Sequence, residues 1–125
     1  MPIRVLLADD YPEFIEAAIR FLSVDPDIEM IGRAHSGEDA LEQAISLQPD
    51  LVLLDLAMPA LNGLEATRCI KAFVGAPQVI VLTLYDNPEY RTAAAAAGAD
   101  GFIAKSELTT QLLPLIHYLF ADSHR

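Results

Sequence analysis

The chain is 125 residues long, which fits one domain of ordinary size and leaves no room for two. Its formal net charge is −10 and it has no basic stripe, so a phosphate backbone would be repelled and we do not expect this chain to bind nucleic acid by itself. The hydrophobic share is 53% without an apolar run long enough to span a membrane, and no secretory signal opens the sequence, so we expect a cytoplasmic protein without a membrane partner.

Apolar patterning divides the chain into five strands that alternate with five helices. The strands are short runs rich in Val, Ile and Leu, and they cover 3–8, 28–34, 51–55, 78–82 and 101–104. The helices have apolar residues at helical spacing, and they cover about 12–23, 37–47, 63–73, 88–97 and 108–120. Such an alternation predicts a parallel sheet with right-handed crossovers and helices on both faces.

The ends of three helices carry typical capping residues. Ser36 precedes helix 2 with an acid three positions later, which resembles a capping box. Asn62 is placed to cap helix 3, and the turn at Asn87 opens helix 4. Gly98 follows helix 4 and is suited to its C-terminal cap.

Helical spacing also predicts which side chains are buried. On helix 2 it places Ala40, Leu41, Ala44 and Ile45 toward the core. Cys69 falls at the same kind of spacing on helix 3, which predicts a buried, inert thiol. The last helix has more apolar residues than one core-facing stripe needs, so we expect the surplus to meet a partner.

Polar side chains stand at the carboxyl ends of four predicted strands. Asp9 and Asp10 follow strand 1, and Asp55 ends strand 3. Thr83 ends strand 4, and Lys105 follows strand 5. Parallel strands bring their carboxyl ends to one edge of a sheet, so these side chains should converge there. Each alone has an ordinary explanation, as a helix cap, a turn residue, a strand end or a solvated charge, but their joint placement favours a functional site.

The chemistry of this set suits a metal ion and a phosphoryl group. Three carboxylates packed together repel one another and raise at least one pKa unless a cation compensates, and hard oxygen ligands suit Mg²⁺, with Mn²⁺ as an alternative. Lys105 and Thr83 add a positive charge and a hydroxyl donor for an anion on the other side of the metal. The sequence therefore predicts a divalent-metal site that handles a phosphoryl group.

Five short motifs then follow one another along nearly the whole chain. They are Leu-Ala-Asp9-Asp10, Leu-Leu-Asp55-Leu-Ala-Met58-Pro59, Leu61-Asn62-Gly63, Val-Leu-Thr83 and Gly98-Ala-Asp-Gly101-Phe-Ile-Ala-Lys105. In this order they resemble the receiver domains of two-component response regulators. The resemblance implies a flavodoxin-like (βα)5 fold, a three-layer sandwich whose five-stranded parallel sheet has the order 2-1-3-4-5.

The resemblance also implies a role for each residue of the site. Asp55 would accept a phosphoryl group from a phosphohistidine of a sensor histidine kinase. Asp10 and Asp55 would bind Mg²⁺ directly, Asp9 would assist largely through water, and the backbone carbonyl of Ala57 would complete the protein's ligands. On this basis the chain is a phosphoacceptor in signal transduction and not an enzyme in its own right.

Further positions would bind the phosphoryl group and respond to it. By the resemblance, Thr83 and Lys105 hold the phosphoryl oxygens, and Thr83 and Phe102 act as the switch that alters the face of helix 4, strand 5 and helix 5. Phe102 lacks the hydroxyl of the more usual tyrosine, so its switch should depend on packing. Ala57 and Tyr85 resemble positions that set how fast water attacks the acyl phosphate, and since neither readily activates water we expect a long-lived phosphoryl group.

The segments around Thr83-Leu-Tyr85-Asp86-Asn87 and Lys105-Ser106 look most like the receivers of LuxR-type transcription regulators, which carry a C-terminal helix-turn-helix domain. We therefore expect residues 1–121 to form a receiver domain and residues 122–125 to begin a linker or tail. DNA would be bound only through an effector domain outside this chain. Phosphorylation would be linked to homodimers through helices 4 and 5 or helices 1 and 5.

Other functions fit the sequence less well. A stand-alone receiver acting through protein contacts is the nearest alternative. A phosphatase with an aspartyl nucleophile would commonly have a second Asp two residues after the first, directly after strand 1, and Asp9-Asp10-Tyr11-Pro12 lacks that spacing. A receiver-like module that takes no phosphate is disfavoured by the intact acidic and basic residues. Flavin binding lacks a phosphate loop after strand 1.

Overall fold

The sheet is parallel throughout and has the strand order that the resemblance implies. The computed structural model describes residues 2–58 and 61–121, so Pro59 of the second motif and the predicted linker 122–125 lie outside the described residues. The strands are β1 (Ile3–Ala8), β2 (Ile28–Ala34), β3 (Leu51–Asp55), β4 (Gln78–Thr83) and β5 (Gly101–Ala104). Their order across the sheet is β2-β1-β3-β4-β5, with every pair parallel. The fold prediction is confirmed.

The helices lie close to their predicted positions. They are α1 (Pro12–Leu22), α2 (Gly37–Leu47), α3 (Gly63–Lys71), α4 (Pro88–Ala97) and α5 (Leu108–Leu119), with a short 3-10 turn over Lys105–Glu107 before α5. The side chains of Ser36, Asn62 and Asn87 each accept a hydrogen bond from the backbone N–H three residues later. Gly98 ends α4 with a φ of 102°, a conformation that favours glycine. These caps confirm the predicted helix ends.

The two faces of the sheet carry separate apolar clusters. One cluster joins the sheet to α1 and α5, and the other joins it to α2, α3 and α4. Strand β3 contributes alternately to both, because Leu51 and Leu53 face the first cluster while Val52 and Leu54 face the second. A strand fully buried on both faces gives Asp55, its last residue, a rigid support.

Two burial predictions are wrong for the same geometric reason. Ile45 is 56% exposed, although its neighbour Ala44 is buried. Cys69 is exposed, although the next residue, Ile70, is fully buried. Adjacent helical residues are separated by about 100° of arc, so one step from a buried residue can leave the core-facing stripe. On α3 the inner face is completed instead by Thr67, whose hydroxyl donates to the Gly63 carbonyl at 2.7 Å.

Helix α5 uses most of its surplus apolar residues inside the domain. Leu113, Leu115 and Leu119 are partly buried against the cluster that joins α1 and α5 to the sheet. The packing therefore weakens the expectation that this surplus meets a partner. The helix is also tied to the α1–β2 loop, where His117 Nε2 lies 2.7 Å from Asp25 Oδ2 and this hydrogen bond lowers the pKa of Asp25. Within the described residues, no helix is long and apolar enough to cross a membrane.

Candidate functional site

The predicted polar residues meet at one edge of the sheet. Asp9, Asp10, Asp55, Thr83 and Lys105 all line a cavity of about 850 Å³ beyond the carboxyl ends of β1, β3, β4 and β5. Side chains from four separate strands converge because the strands are parallel and neighbouring. The predicted convergence is confirmed.

Lys105 supplies a positive charge next to the acidic residues at this edge of the sheet. Its Nζ donates to Asp9 Oδ2 at 2.6 Å and lies 3.3 Å from Asp55 Oδ1. Asp9 is fully buried, and its other oxygen accepts a hydrogen bond from the backbone N–H of Tyr11 at 2.9 Å. Asp10 is exposed at the mouth of the cavity. Both oxygens of the buried Asp9 carboxylate are therefore hydrogen-bonded, and Lys105 offsets part of the charge of the acidic set.

Asp55 is the carboxyl of this site whose pKa is shifted by its surroundings. The residue is 5% exposed, and burial, followed by the negative charge of Asp9, raises the pKa of its carboxyl. The ammonium of Lys105 opposes this rise without cancelling it. This direction is the one predicted for packed carboxylates, and the net negative charge of the set favours a further cation.

One carboxylate oxygen from each of Asp9, Asp10 and Asp55 lies within 4.8 Å of the others. Three hard oxygen ligands at this separation fit a divalent cation of the Mg²⁺ type, which keeps several waters and takes a few protein carboxylates. The openness of the site on the Asp10 side leaves room for those waters. The residues present therefore suit the metal that the sequence predicts.

Thr83 is placed at the site, but its hydroxyl is engaged elsewhere. The residue is 3% exposed, and its Oγ1 donates to the Tyr85 carbonyl and accepts from the Tyr85 N–H, both at 3.1 Å. The hydroxyl is therefore held by the β4–α4 loop and can donate to an anion beside Asp55 only by giving up its bond to the Tyr85 carbonyl. The Tyr85 side chain itself is 70% exposed at the cavity mouth, and Ala57 is exposed beside Asp55.

Sequence reasoning missed two residues that position the acidic set. The Phe14 ring lies beneath Lys105, with Nζ 4.1 Å from the ring centroid, so it adds a cation–π contact to the ion pairs. Gly63 lies so close to β3 that an added Cβ would stand 2.2 Å from the Asp55 carbonyl oxygen. The sequence showed Phe14 only as an apolar residue within the first predicted helix and Gly63 only as the last residue of a short motif.

Phe102 also has a partner that the sequence did not reveal. Its half-buried ring lies under the guanidinium of Arg91, with Cζ 4.8 Å from the ring centroid. Arg91 in turn makes two hydrogen bonds to Asp86, which lower the pKa of Asp86 and raise that of Arg91. In the sequence, the contact between Asp86 and Arg91 could be inferred only from their five-residue spacing around the start of a helix. Such a spacing of an acid and a base is too common to predict a contact.

Replacing Asp55 by Asn should stabilise the metal-free protein at neutral pH. A carboxyl whose pKa is raised on folding contributes stability below its unfolded-state pKa and loses it as the pH rises through the folded-state value. Wild type should therefore unfold more easily than Asp55→Asn at pH 7 in chelator, with the gap closing as the pH falls toward the ordinary aspartate value of 3.8. Urea unfolding at several pH values measures this gap.

Asp10→Asn is the matched control for this measurement. It removes an exposed charge of the same acidic set and should give a smaller gain than Asp55→Asn. Equal gains for the two variants would show that burial of Asp55 is not the cause.

Comparison with known proteins agrees with this geometry. The model of the response regulator receiver domain family matches residues 5–117. The nitrate/nitrite response regulator protein NarL of Escherichia coli is 36% identical over 116 residues, which are 93% of this chain and 54% of that protein. The response regulator protein VraR of Staphylococcus saprophyticus is 40% identical over 119 residues, 93% of this chain and 56% of that protein. The chain thus spans about half the length of the curated relatives it matches.

Solved structures give the same result. The crystal structure of a LuxR-family two-component response regulator from an Aurantimonas species superimposes with a TM-score of 0.91 at 29% identity, covering 98% of this chain and 87% of that one. The signal receiver domain of the putative response regulator NarL from Mycobacterium tuberculosis superimposes with a TM-score of 0.86 at 30% identity, covering 99% and 98%. The chain therefore belongs to the receiver domains of two-component response regulators, and it is similar to those of the LuxR family.

Proposed function

We propose that Asp55 is the phosphoacceptor of this receiver domain and takes a phosphoryl group from a phosphohistidine of a sensor histidine kinase. The observation that carries the proposal is the position of its carboxylate. It stands at the end of a fully buried strand, it faces a cavity, and it lies 3.3 Å from the Lys105 ammonium. A rigid carboxylate beside a fixed cation is the arrangement that in-line transfer of a phosphoryl group needs.

In this reaction an oxygen of Asp55 attacks the phosphorus of the phosphohistidine. The new O–P bond forms as the P–N bond breaks, and the electron pair of that bond returns to the imidazole, which takes up a proton. The product is an acyl phosphate on Asp55. The nucleophile in this step is the ionised carboxylate, which the Lys105 ammonium at 3.3 Å favours.

Two side chains are placed to hold the transferred group. Lys105 lies between Asp9 and Asp55, so its ammonium can bind a phosphoryl oxygen once it leaves Asp9. Thr83 faces the same cavity and gives a hydroxyl donor after its bonds to the loop are broken. Such donors act on charge that develops during transfer.

Mg²⁺ is the cofactor that the acidic residues fit. Asp10 and Asp55 would hold it directly, Asp9 through water, and the backbone carbonyl of Ala57 would complete the protein's ligands, with Mn²⁺ as an alternative. When bound, the ion neutralises negative charge on the phosphoryl oxygens. Ala57 and Tyr85 remain the positions that we propose to set the lifetime of the phosphoryl group.

The output that we propose follows the relatives. Thr83 and Phe102 would switch together and alter the face formed by α4, β5 and α5. Residues 1–121 would act as the receiver unit and 122–125 as the start of a linker, with DNA bound only by an effector domain of a longer cytoplasmic protein. Homodimers through α4 and α5 or through α1 and α5 would follow phosphorylation. The chain is then a phosphoacceptor and not a turnover enzyme.

The proposal is tested by incubating the protein with Mg²⁺ and acetyl phosphate and measuring its intact mass. Wild type should gain the mass of one phosphoryl group, and Asp55→Asn should not. Asp27→Asn, an exposed aspartate in the α1–β2 loop at the opposite edge of the sheet, is the matched control and should gain it like wild type. An adduct on Asp55→Asn, or none on folded wild type, would contradict the proposal.

A further inference from the structure

A single guanidinium joins two segments beside the phosphoryl-acceptor edge. Arg91, on α4, donates from Nε to Asp86 Oδ1 at 2.7 Å and from Nη2 to Asp86 Oδ2 at 2.9 Å. The same guanidinium lies over the Phe102 ring, with Cζ 4.8 Å from the centroid. Asp86 belongs to the β4–α4 loop and Phe102 to β5, so Arg91 contacts both segments at once.

Each of these segments contains a group that must move if the proposed function is correct. The Thr83 hydroxyl is held by the backbone of Tyr85, directly before Asp86. The Phe102 ring is half-buried against the cluster of α2, α3 and α4. A bidentate carboxylate contact on one side and a ring contact on the other therefore restrain both groups through one side chain.

The contact between Arg91 and the Phe102 ring is present in the arrangement seen here and absent from one in which the ring has moved away. A contact shifts an equilibrium only if it differs between the two states. The guanidinium meets the ring while Phe102 lies beneath it, and any movement that carries the ring away from α4 breaks the contact. Arg91 therefore favours the arrangement seen here over one with the ring turned away, and Asp86 keeps the guanidinium in position to do so.

We infer that Arg91 is a positioning residue that holds the β4–α4 loop and Phe102 in the unphosphorylated arrangement. The inference rests on the proposed function and adds a regulatory residue to it. Its removal shifts the protein toward the phosphorylated arrangement without any change in the residues that touch the phosphoryl group. The ring contact depends on the Asp86 contact, because the Asp86 carboxylate orients the guanidinium that lies over the Phe102 ring.

The test measures affinity for beryllofluoride, a mimic of the phosphoryl group, in the presence of Mg²⁺ by following amide resonances in an NMR titration. Arg91→Gln should bind about threefold tighter than wild type, in line with the usual strength of an exposed cation–π contact. Phe102→Leu keeps an apolar side chain without a ring face, so adding Arg91→Gln to it should bring no further gain. Asp86→Asn should give part of the gain of Arg91→Gln.

Arg68→Gln is the matched control. Arg68 is exposed on α3 and makes no ion pair in the part of the chain that the structure describes, so its affinity should equal that of wild type. Equal affinities for wild type and Arg91→Gln would overturn the inference alone, as would an equal gain in the Phe102→Leu background. A folded wild type that binds no beryllofluoride would overturn the proposed function and this inference with it.

Discussion

Lys105→Met is expected to lower the free energy of unfolding by about 3 kcal/mol in the absence of divalent metal, near the low end of the cost of breaking a buried ion pair. The ammonium compensates the fully buried Asp9 at 2.6 Å and the nearly buried Asp55 at 3.3 Å. Methionine keeps an unbranched side chain of similar length next to the Phe14 ring but leaves both carboxylates without their cation. Urea unfolding in chelator measures the loss.

Two further measurements separate lost charge from lost packing. Adding Asp9→Asn to Lys105→Met removes the orphaned buried charge and should recover most of the loss. Mg²⁺ should stabilise Lys105→Met more than wild type, because the variant's carboxylates have no competing ammonium. If Lys105→Met unfolds within 0.5 kcal/mol (about the scatter of surface substitutions) of wild type, the ion pair does not support the fold. The variant should also lose most of its phosphoryl uptake from acetyl phosphate.

Gly63→Ala should damage both the fold and the site, with a loss of about 3 kcal/mol, the upper range for overpacking. An added Cβ would stand 2.2 Å from the Asp55 carbonyl oxygen and 2.8 Å from the Leu56 Cα, and backbone atoms cannot move aside as a flexible side chain can. The Gly63 N–H also donates to the Leu56 carbonyl at 3.0 Å, so the start of α3 is joined to the residue that follows Asp55. Displacement of Asp55 by an ångström should slow phosphoryl uptake about 100-fold.

Gly75→Ala is the control for this substitution. Gly75 has a φ of 73° but open space around its Cα, so alanine there should cost about 1 kcal/mol of backbone strain and leave phosphoryl uptake unchanged. Urea unfolding and intact-mass kinetics on the two variants compare the positions directly. Similar losses at both positions would mean that generic glycine effects, and not contact with Asp55, explain the result.

Local sequence signals were sufficient to predict the elements of this fold. Strand β3 is recognisable because all its residues are apolar up to the final acid, and the caps at Ser36, Asn87 and Gly98 are contacts over only a few residues. Helical periodicity did not predict the orientation of every side chain around the helix axis. Ile45 and Cys69 are exposed, although each lies one residue from a buried neighbour. The apolar pattern identified the core-facing side of each helix but not how far around the helix the buried surface extends.

The candidate site was predictable in its membership but not in its contacts. Strand order alone brings Asp9, Asp55 and Lys105 to one edge, so their meeting follows from the topology. The engagement of the Thr83 hydroxyl by its own loop, and the contact of Arg91 with Phe102, depend on side-chain orientation and on residues that are neighbours only after folding. Sequence patterns contain no information on which of several hydrogen-bond partners a hydroxyl selects.

The ion pair between Asp9 and Lys105 has a consequence for how the protein is made. The two residues are 96 positions apart, and Asp55 lies between them in sequence. The complete edge with its acidic residues and Lys105 therefore does not exist in a growing chain on the ribosome until β5 has emerged and joined the sheet, and contacts this far apart in sequence are slow to form. A nascent or partly assembled receiver has Asp55, the proposed phosphoacceptor, without its cation, so on this proposal phosphoryl uptake becomes possible only when the domain is complete.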